Sequence, residues 1–600
     1  MVGPWGSKGV GVKHFVLLLA LAVAAPQTAT AKPPRPPATA PATTARVPAA
    51  PGALVAPAMV SAADPRAAAA GVAMLRQGGS AMDAIAATLL ALTVVEPQSS
   101  GIGGGGLLVY QAAGAADPVT FDGRETAPAS ASPALFLTPD GKPQPRSTAI
   151  PGGRSVGVPG NVAMLALAHA RLGKLPWAAL FAPAIALAEN GYIVTPRMAA
   201  GIAAKRDVLA RSPAAAALYL NADGSAKTAR TRIVNAALAA TLRAIAAGGP
   251  AAFYRGPVAA DIAQTVGSAP TNPTVLTAAD LTGYHAKARP PVCTSYRVWR
   301  VCGMGPPSSG GTSVAAILKQ LERFDLAALG VDSPVSWHLL AESERLAFAD
   351  RDAYLGDSDF VAVPVAGLVD PAYLASRGAL IHADGTMASA SAGTPPGAAP
   401  RAASPASEIP STSSFAAADA RGNVATLTST VEGGFGSGLV SGGFVLNNEL
   451  TDFSFVPSAN GGPVANRVDA GKRPLSSMSP TLVYDRSGRV VLAIGAAGGP
   501  TIPAQVAKAI IGVLDWHLAV QDAIALPVIM VFGDLLLVES GPQGARLAAM
   551  LPALKALGHA RTAVVALPYK ANGLERVGSG TAAMWRGGAD PRSEGVALGL

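Results

Sequence analysis

The apolar positions of the chain change period along its length. In DPRAAAAGVAMLRQGGSAMDAIAATLLALTVVEP they recur at helical spacing on either side of Gly78-Gly79, which predicts two Ala-rich helices joined by a tight turn. GGLLVYQ and VTFDGRE then read as strands, residues 156–250 return mostly to the helical period, and residues 336–353 do so again. From Met387 to Pro410 the chain is Pro/Ser/Ala-rich and without period, so a flexible surface segment is expected. Beyond it, FAAADARGNVATLTST carries two short runs around the turn signal Ala420-Arg421-Gly422-Asn423, a hairpin pattern. GGFVLNN, SPTLVYDRSGRVVLAIG, DLLLVES and TAAMWR add further strands. The expected plan is a helical first half, a flexible segment and a strand-rich second part, with no internal repeat.

The N-terminus departs from this plan. Lys8 and Lys13 precede the apolar run FVLLLALAVAA, and small residues follow up to Ala29-Thr30-Ala31, the order of a secretory signal spanning residues 1–31. The run from Phe15 to Ala25 is too short to cross a bilayer as an anchor. Residues 32–58 are dominated by Pro, Ala and Thr and read as a disordered leader, so folding is expected to begin near Met59. Export is therefore predicted, to the periplasm in a host with two membranes and to the medium otherwise. No later segment reads as a membrane span. An oxidising compartment gives meaning to Cys293 and Cys302, the two cysteines of the chain. They flank a turn-like Ser295-Tyr296-Arg297 between β-rich residues, so a hairpin disulfide is expected.

Half of the residues are hydrophobic, 14% are charged, and Ala and Gly are abundant, which suits elements that approach closely. The formal charge of +9 comes from basic residues scattered singly, so nucleic acid is not an expected partner. The seven histidines are dispersed, with no two at metal-ligand spacing, and this tilts the reading away from Ser-His-Asp hydrolases and zinc enzymes. GIGGGG, residues 101–106, lacks the Lys-Ser/Thr of a phosphate loop and leads into a strand, so close backbone packing explains it better.

A different chemistry is written in STSSFAAADARGNVATLTST, residues 411–430. A Thr made N-terminal by chain cleavage carries its own base, the α-amino group. Thr412, after a flexible segment and at the mouth of a hairpin, suits such self-cleavage between Ser411 and Thr412. Taken alone, the same residues make an ordinary Ser/Thr-rich loop.

GGSAMDAIAA, EPQSSGIGGGGLLVY, FDGRETAP, SVGVPGNVAMLALAHARLGKLPW, GPPSSGGTS, ERLAFADRDAYLGD, TSSFAAADARGNVATLTSTVEGGFGSG, LNNELTDFS, KRPLSSMSPT, GAAGGP and ADPRSEG occur in that order. Through them residues 59–600 resemble the gamma-glutamyltransferase (gamma-glutamyl transpeptidase) family of N-terminal nucleophile hydrolases. The resemblance implies an α+β fold, a four-layer αββα sandwich with two central antiparallel sheets. It also implies a precursor cut into a large fragment, 59–411 with its leader, and a small fragment, 412–600. Thr412 matches the processing and catalytic nucleophile, and Thr430 the hydroxyl that supports it. Arg124, Ser476 and Ser477 match the groups that take the substrate α-carboxylate. Asp452, Glu432 and Glu449 match those that take the α-ammonium, and Gly498 and Gly499 the oxyanion glycines.

The implied activity is transfer of the γ-glutamyl group of glutathione and related compounds, through a threonine ester, to water or to amino-acid or peptide acceptors. No metal or organic cofactor is implied. Two alternatives stay open: a cephalosporin-acylase-like amidase for glutaryl groups, and an exported relative without catalysis. The chain departs from many relatives in having Ser413-Ser414 where they have Thr-Thr-His or Thr-Ser-His, Glu432 where they have Asn, and a short segment after Asp452.

Overall fold

A computed structural model describes residues 55–399, 401–404, 411–459, 461–567, 569–578 and 584–600. The expected signal segment, and the leader up to residue 54, lie outside the described residues. Where the chain enters them, Val55–Ala56 already pairs with Met584–Ala589. Folding thus begins before Met59: backbone pairing at a sheet edge gives order that composition does not announce.

The two Ala-rich helices form as expected, Pro65–Arg76 and Ala81–Val95. The Asp64 carboxylate caps the first, with Pro65 at its first position; Ser80 and Asp83 form a reciprocal capping box on the second. Their small residues are needed because the helices nearly touch. A Cβ on Gly71 would lie 2.5 Å from Thr88 Oγ1.

Two seven-stranded sheets lie at the centre. One runs, edge to edge, through 596–599, 59–62, 413–418, 424–430, 105–111, 119–122 and 287–289. The other runs through 55–56, 584–589, 570–577, 490–497, 481–484, 299–303 and 292–296, and every pairing in both is antiparallel. The helices 65–76 and 81–95 cover the outer face of the first sheet; Gly310–Leu321, Ile502–Leu514 and Val520–Ala525 cover the second. The three largest apolar clusters among the described residues lie one under each helical layer and one between the sheets, where Met59, Val109, Ala416 and Val424 meet Leu482, Tyr484, Leu574 and Trp585. This is the αββα sandwich. The division into a helical first half and a strand-rich second part is only partly kept, because strands from before and after Thr412 interleave in both sheets. GGFVLNN contributes only the two-residue strand Phe444–Val445.

Cys293 and Cys302 face each other on the hairpin 292–303 and are disulfide-bonded, with Cα atoms 4.1 Å apart. The bond suits an oxidising compartment. Among the described residues no helix is long and apolar enough to cross a membrane. The segment expected to be flexible has no regular element over its described part, but it is pinned. The Met387 N–H donates to Glu342 (2.6 Å), the Gly393 N–H to Asp350 (2.8 Å), and the Ser391 carbonyl accepts from Arg377 (2.6 Å). Buried acids of the helix Pro334–Tyr354 thus hold it, a pairing that a periodicity argument does not reach.

The same helix carries His338, whose Nε2–H donates to the His382 carbonyl (2.8 Å). Its Nδ1 is then the acceptor for His559 Nε2–H, also at 2.8 Å. Burial, then the neighbouring His338 and Arg345, pushes the His559 pKa down to about 4. An unfolded histidine titrates near pH ~6.5. Between these values the unfolded chain binds more protons, so stability falls as pH drops from about 6.5 to about 4. Calorimetry from pH 7 to 4.5 should show this loss in Tm, with a shallower slope in His559→Gln.

Candidate active site

The hairpin 413–430 positions the site by parity. Along 413–418, Phe415 and Ala417 face the helices while Ala416 and Ala418 face the second sheet, so Ser413 is on the helical side and Ser414 between the sheets. The register pairs Ser413 with Ser429, and its next rung sets Thr412 opposite Thr430 at the open end of the sandwich. Small residues make room there. A Cβ on Gly495 would lie 2.2 Å from Ser414 Oγ, so the second sheet approaches closely two residues along from Thr412.

The Thr412 hydroxyl lies against the Ser411 carbonyl oxygen and donates to Thr430 Oγ1 at 3.3 Å. Thr430 Oγ1 donates to the same Ser411 carbonyl at 3.0 Å and accepts from the Glu432 N–H at 2.7 Å. The chain of donors polarises the Ser411–Thr412 peptide carbonyl. Glu432 is held at φ 72°, a left-handed conformation uncommon for a residue with a side chain, and this turns its N–H toward Thr430.

Beside this pair is a dense charged cluster. Arg124, 1% exposed, directs Nη1 to Glu449 and Nη2 to Asp452 Oδ2 (2.5 Å), and its Nε and Nη2 also donate to the carbonyls of Pro474 (3.1 Å) and Leu475 (2.8 Å). Glu125 Oε2 is 4.0 Å from the same guanidinium. Burial works against the Arg124 charge, but Glu449, Asp452 and Glu125 outweigh it and raise its pKa. For Glu125 and Glu449, burial wins over Arg124: Glu125 is pushed up to about 8 and Glu449 well above the usual carboxylate range. One guanidinium does not supply enough positive charge for the carboxyls packed around it.

Ser476 and Ser477 directly follow the two carbonyls that Arg124 holds and also line the pocket. The Ser476 backbone bonds Pro307 and Ser309, and Ser477 Oγ accepts from Arg351 Nη2 at 3.0 Å. Gly498 (φ 137°) and Gly499 (φ 59°) turn the chain from the strand 490–497 into the helix 502–514, in conformations that side chains disfavour.

One narrow pocket is lined by Arg124, Ser411, Thr412, Thr430, Glu432, Glu449, Asp452, Ser476, Ser477 and Gly499, together with Met478 and Ile502. Every residue singled out for this site in the sequence is therefore brought to it, except that Gly498 stands one residue behind the lining. Three contributors had not been singled out. Arg351 orients Ser477, Glu125 completes the acidic cluster, and a buried Glu96–Lys570 pair holds Ser413. Arg351, Glu125 and Glu96 stand in DRDAYLGD, FDGRE and EPQSSG, where their motifs, but not their own roles, are visible.

Residues 67–600 match the family described as Gamma-glutamyltranspeptidase. The chain belongs to the gamma-glutamyltranspeptidase family. Like the rest of that family it is an enzyme, and its fold is that of the N-terminal nucleophile hydrolases. A glutathione hydrolase proenzyme of Bacillus subtilis (strain 168) is 36% identical over 478 residues, covering 78% of this chain and 80% of that protein. The acylase ACY 1 proenzyme of Pseudomonas sp. (strain SE83) is 35% identical over 547 residues, covering 89% and 93%. Among solved structures, a cephalosporin acylase from Bacillus halodurans superposes with a TM-score of 0.80 at 26% identity, covering 93% of this chain and 99% of that one. The Helicobacter pylori gamma-glutamyltranspeptidase does so with a TM-score of 0.52 at 36% identity, covering 54% and 91%. Proteins similar to this chain thus carry both hydrolase and acylase names, and the choice between them rests on the pocket.

Proposed function

We propose that this protein is a self-cleaving γ-glutamyl hydrolase and transferase acting on glutathione and related γ-glutamyl amides. In the precursor, Thr412 Oγ attacks the Ser411 carbonyl carbon while Thr430 donates to the carbonyl oxygen. The C–O bond forms, the hydroxyl proton passes to the Thr412 nitrogen as the C–N bond breaks, and water then hydrolyses the ester, leaving a Ser411 carboxylate, the Thr412 hydroxyl and a free Thr412 amine. The large and small fragments stay together because their strands interleave in both sheets. In the mature site the amine takes the proton of Thr412 Oγ as it attacks the γ-carbonyl, and gives it to the leaving amine. The backbone N–H groups at Gly498 and Gly499 stabilise the oxyanion. Water or an amino acid or peptide then takes the γ-glutamyl group from the ester.

The observation that carries the choice of substrate is the acidic excess around Arg124. Arg124, Ser476 and Ser477 take the α-carboxylate, and Asp452, Glu449 and Glu432 take the α-ammonium. Four carboxyls, of Glu125, Glu432, Glu449 and Asp452, share the single guanidinium of Arg124, and such an excess of buried acid favours a ligand that brings a cation of its own. A γ-glutamyl head is a zwitterion. A glutaryl head adds only another negative charge, which argues against the acylase reading.

The test is turnover of γ-glutamyl 4-nitroanilide beside glutaryl 4-nitroanilide, which differs only in lacking the α-amino group. A kcat/KM higher by about tenfold or more for the γ-glutamyl compound is expected, in the range that one charged contact supplies. A preference for glutaryl would make the protein an amidase. An intact chain inert toward both would make it a non-catalytic relative.

A further inference from the structure

Lys570 and Glu96 are a buried ion pair with no part in the chemistry just described. Lys570 is 1% exposed and Glu96 4%. The ammonium uses all three donors: on Glu96 Oε1, on Ser99 Oγ (3.1 Å) and on Ser413 Oγ (3.3 Å). Ser413 Oγ in turn donates to Glu96 Oε2 at 2.6 Å. The carboxylate stands at the C-cap of the helix 81–95, the end where the helix dipole disfavours negative charge. A buried ion pair gives little net stability over an apolar pair of the same volume. Its placement therefore calls for another explanation.

The pair joins two strands that the reaction must hold in register. Lys570 is the first residue of the strand 570–577 and pairs across it with Ala497, the residue before Gly498-Gly499. Ser413 directly follows Thr412. The loop that carries Glu96 also grips the other side of Thr412, because the Gln98 carbonyl accepts from Ser411 Oγ at 2.8 Å. Cleavage between Ser411 and Thr412 would release that second grip and make Thr412 a chain end, and chain ends fray unless tied down. The tie left on the next residue's side chain would be Ser413 to Glu96 and Lys570.

We propose that Glu96 and Lys570 are positioning residues that hold Thr412 in register with the Gly498–Gly499 turn, by clamping Ser413 to the strand that leads into it. The proposal rests on Thr412 being the nucleophile, and applies to the self-cleavage and the acyl-transfer steps alike.

Two variants test it. Glu96→Gln with Lys570→Met removes both charges and keeps both volumes, so no buried charge is left unpaired. Ser413→Ala keeps the ion pair and removes only the clamp. Each is followed by intact mass for the rate of self-cleavage, and by kcat and KM for γ-glutamyl 4-nitroanilide, with kcat counted per cleaved chain. The expected result is slower cleavage and a kcat lower by about a hundredfold in the double variant and about tenfold in Ser413→Ala, with KM within about threefold, as a misplaced nucleophile gives. Ser413→Thr, which keeps the hydroxyl, should recover most of the kcat. A purely structural pair would lower Tm and the yield of cleaved chain but leave kcat per cleaved chain at the parent value. That outcome in either variant overturns the proposal, and Ser413→Ala decides alone if the double variant does not fold. A parent protein that neither cleaves nor turns over the anilide overturns both this inference and the reading it rests on.

Discussion

Thr412→Ala should leave the chain as one intact polypeptide and abolish turnover of γ-glutamyl 4-nitroanilide, a loss of at least about 10⁴-fold in kcat. The parent should give two fragments, the smaller beginning Thr-Ser-Ser-Phe. Two functions disappear with one oxygen atom. The hydroxyl that lies against the Ser411 carbonyl in the precursor is the same one that the mature enzyme would aim at the γ-carbonyl. Without cleavage, moreover, no α-amine is exposed to act as base. Thr412→Ser separates this chemistry from folding. It keeps the oxygen and loses only a methyl group from a residue 4% exposed, so it should still cleave, more slowly, and retain measurable turnover. Intact mass and N-terminal sequencing after timed incubation read both variants. A Thr412→Ala protein that still cuts before residue 412 would move the nucleophile elsewhere. Thr430, whose hydroxyl donates to the Ser411 carbonyl at 3.0 Å, would then have to carry the reaction.

Local chemistry in the sequence marks the hairpin 413–430, by its turn residues and its alternation, and the Gly78-Gly79 turn between two helices. Thr430, Arg124, Ser476, Ser477, Asp452, Glu432, Glu449, Gly498 and Gly499 are reached through the ordered motifs that carry the family resemblance, not through local pattern. What was not legible depends on pairings that no local pattern encodes. Glu96 and Lys570 are 474 residues apart and meet only because the strands 413–418 and 570–577 belong to facing sheets. Val55–Ala56 is too short and too poor in β-formers to stand out from a Pro/Ala-rich leader, yet it finds an edge to pair with. Glu125 follows Arg124 directly, and its importance lies in the number of acids that share one guanidinium, which is a property of the folded cluster.

That cluster makes Asp452 the residue whose change should most alter substrate choice. Asp452→Asn removes one charge and almost no volume. Its backbone carbonyl stays anchored by Asn466 Nδ2 at 2.7 Å, so the loop should keep its course. The γ-glutamyl anilide should lose about a hundredfold in kcat/KM, about 3 kcal/mol, as expected when a buried ammonium loses a charged partner. The glutaryl anilide has no ammonium to lose and one fewer repelling charge to meet. Its kcat/KM should stay level or rise, so the ratio between the two substrates should move by a hundredfold or more. If both substrates fell equally, Asp452 would be acting through Arg124, by aligning the guanidinium 2.5 Å away for the α-carboxylate that both substrates carry. The sign of the change for glutaryl therefore separates an acid that selects the ammonium from one that only braces the arginine.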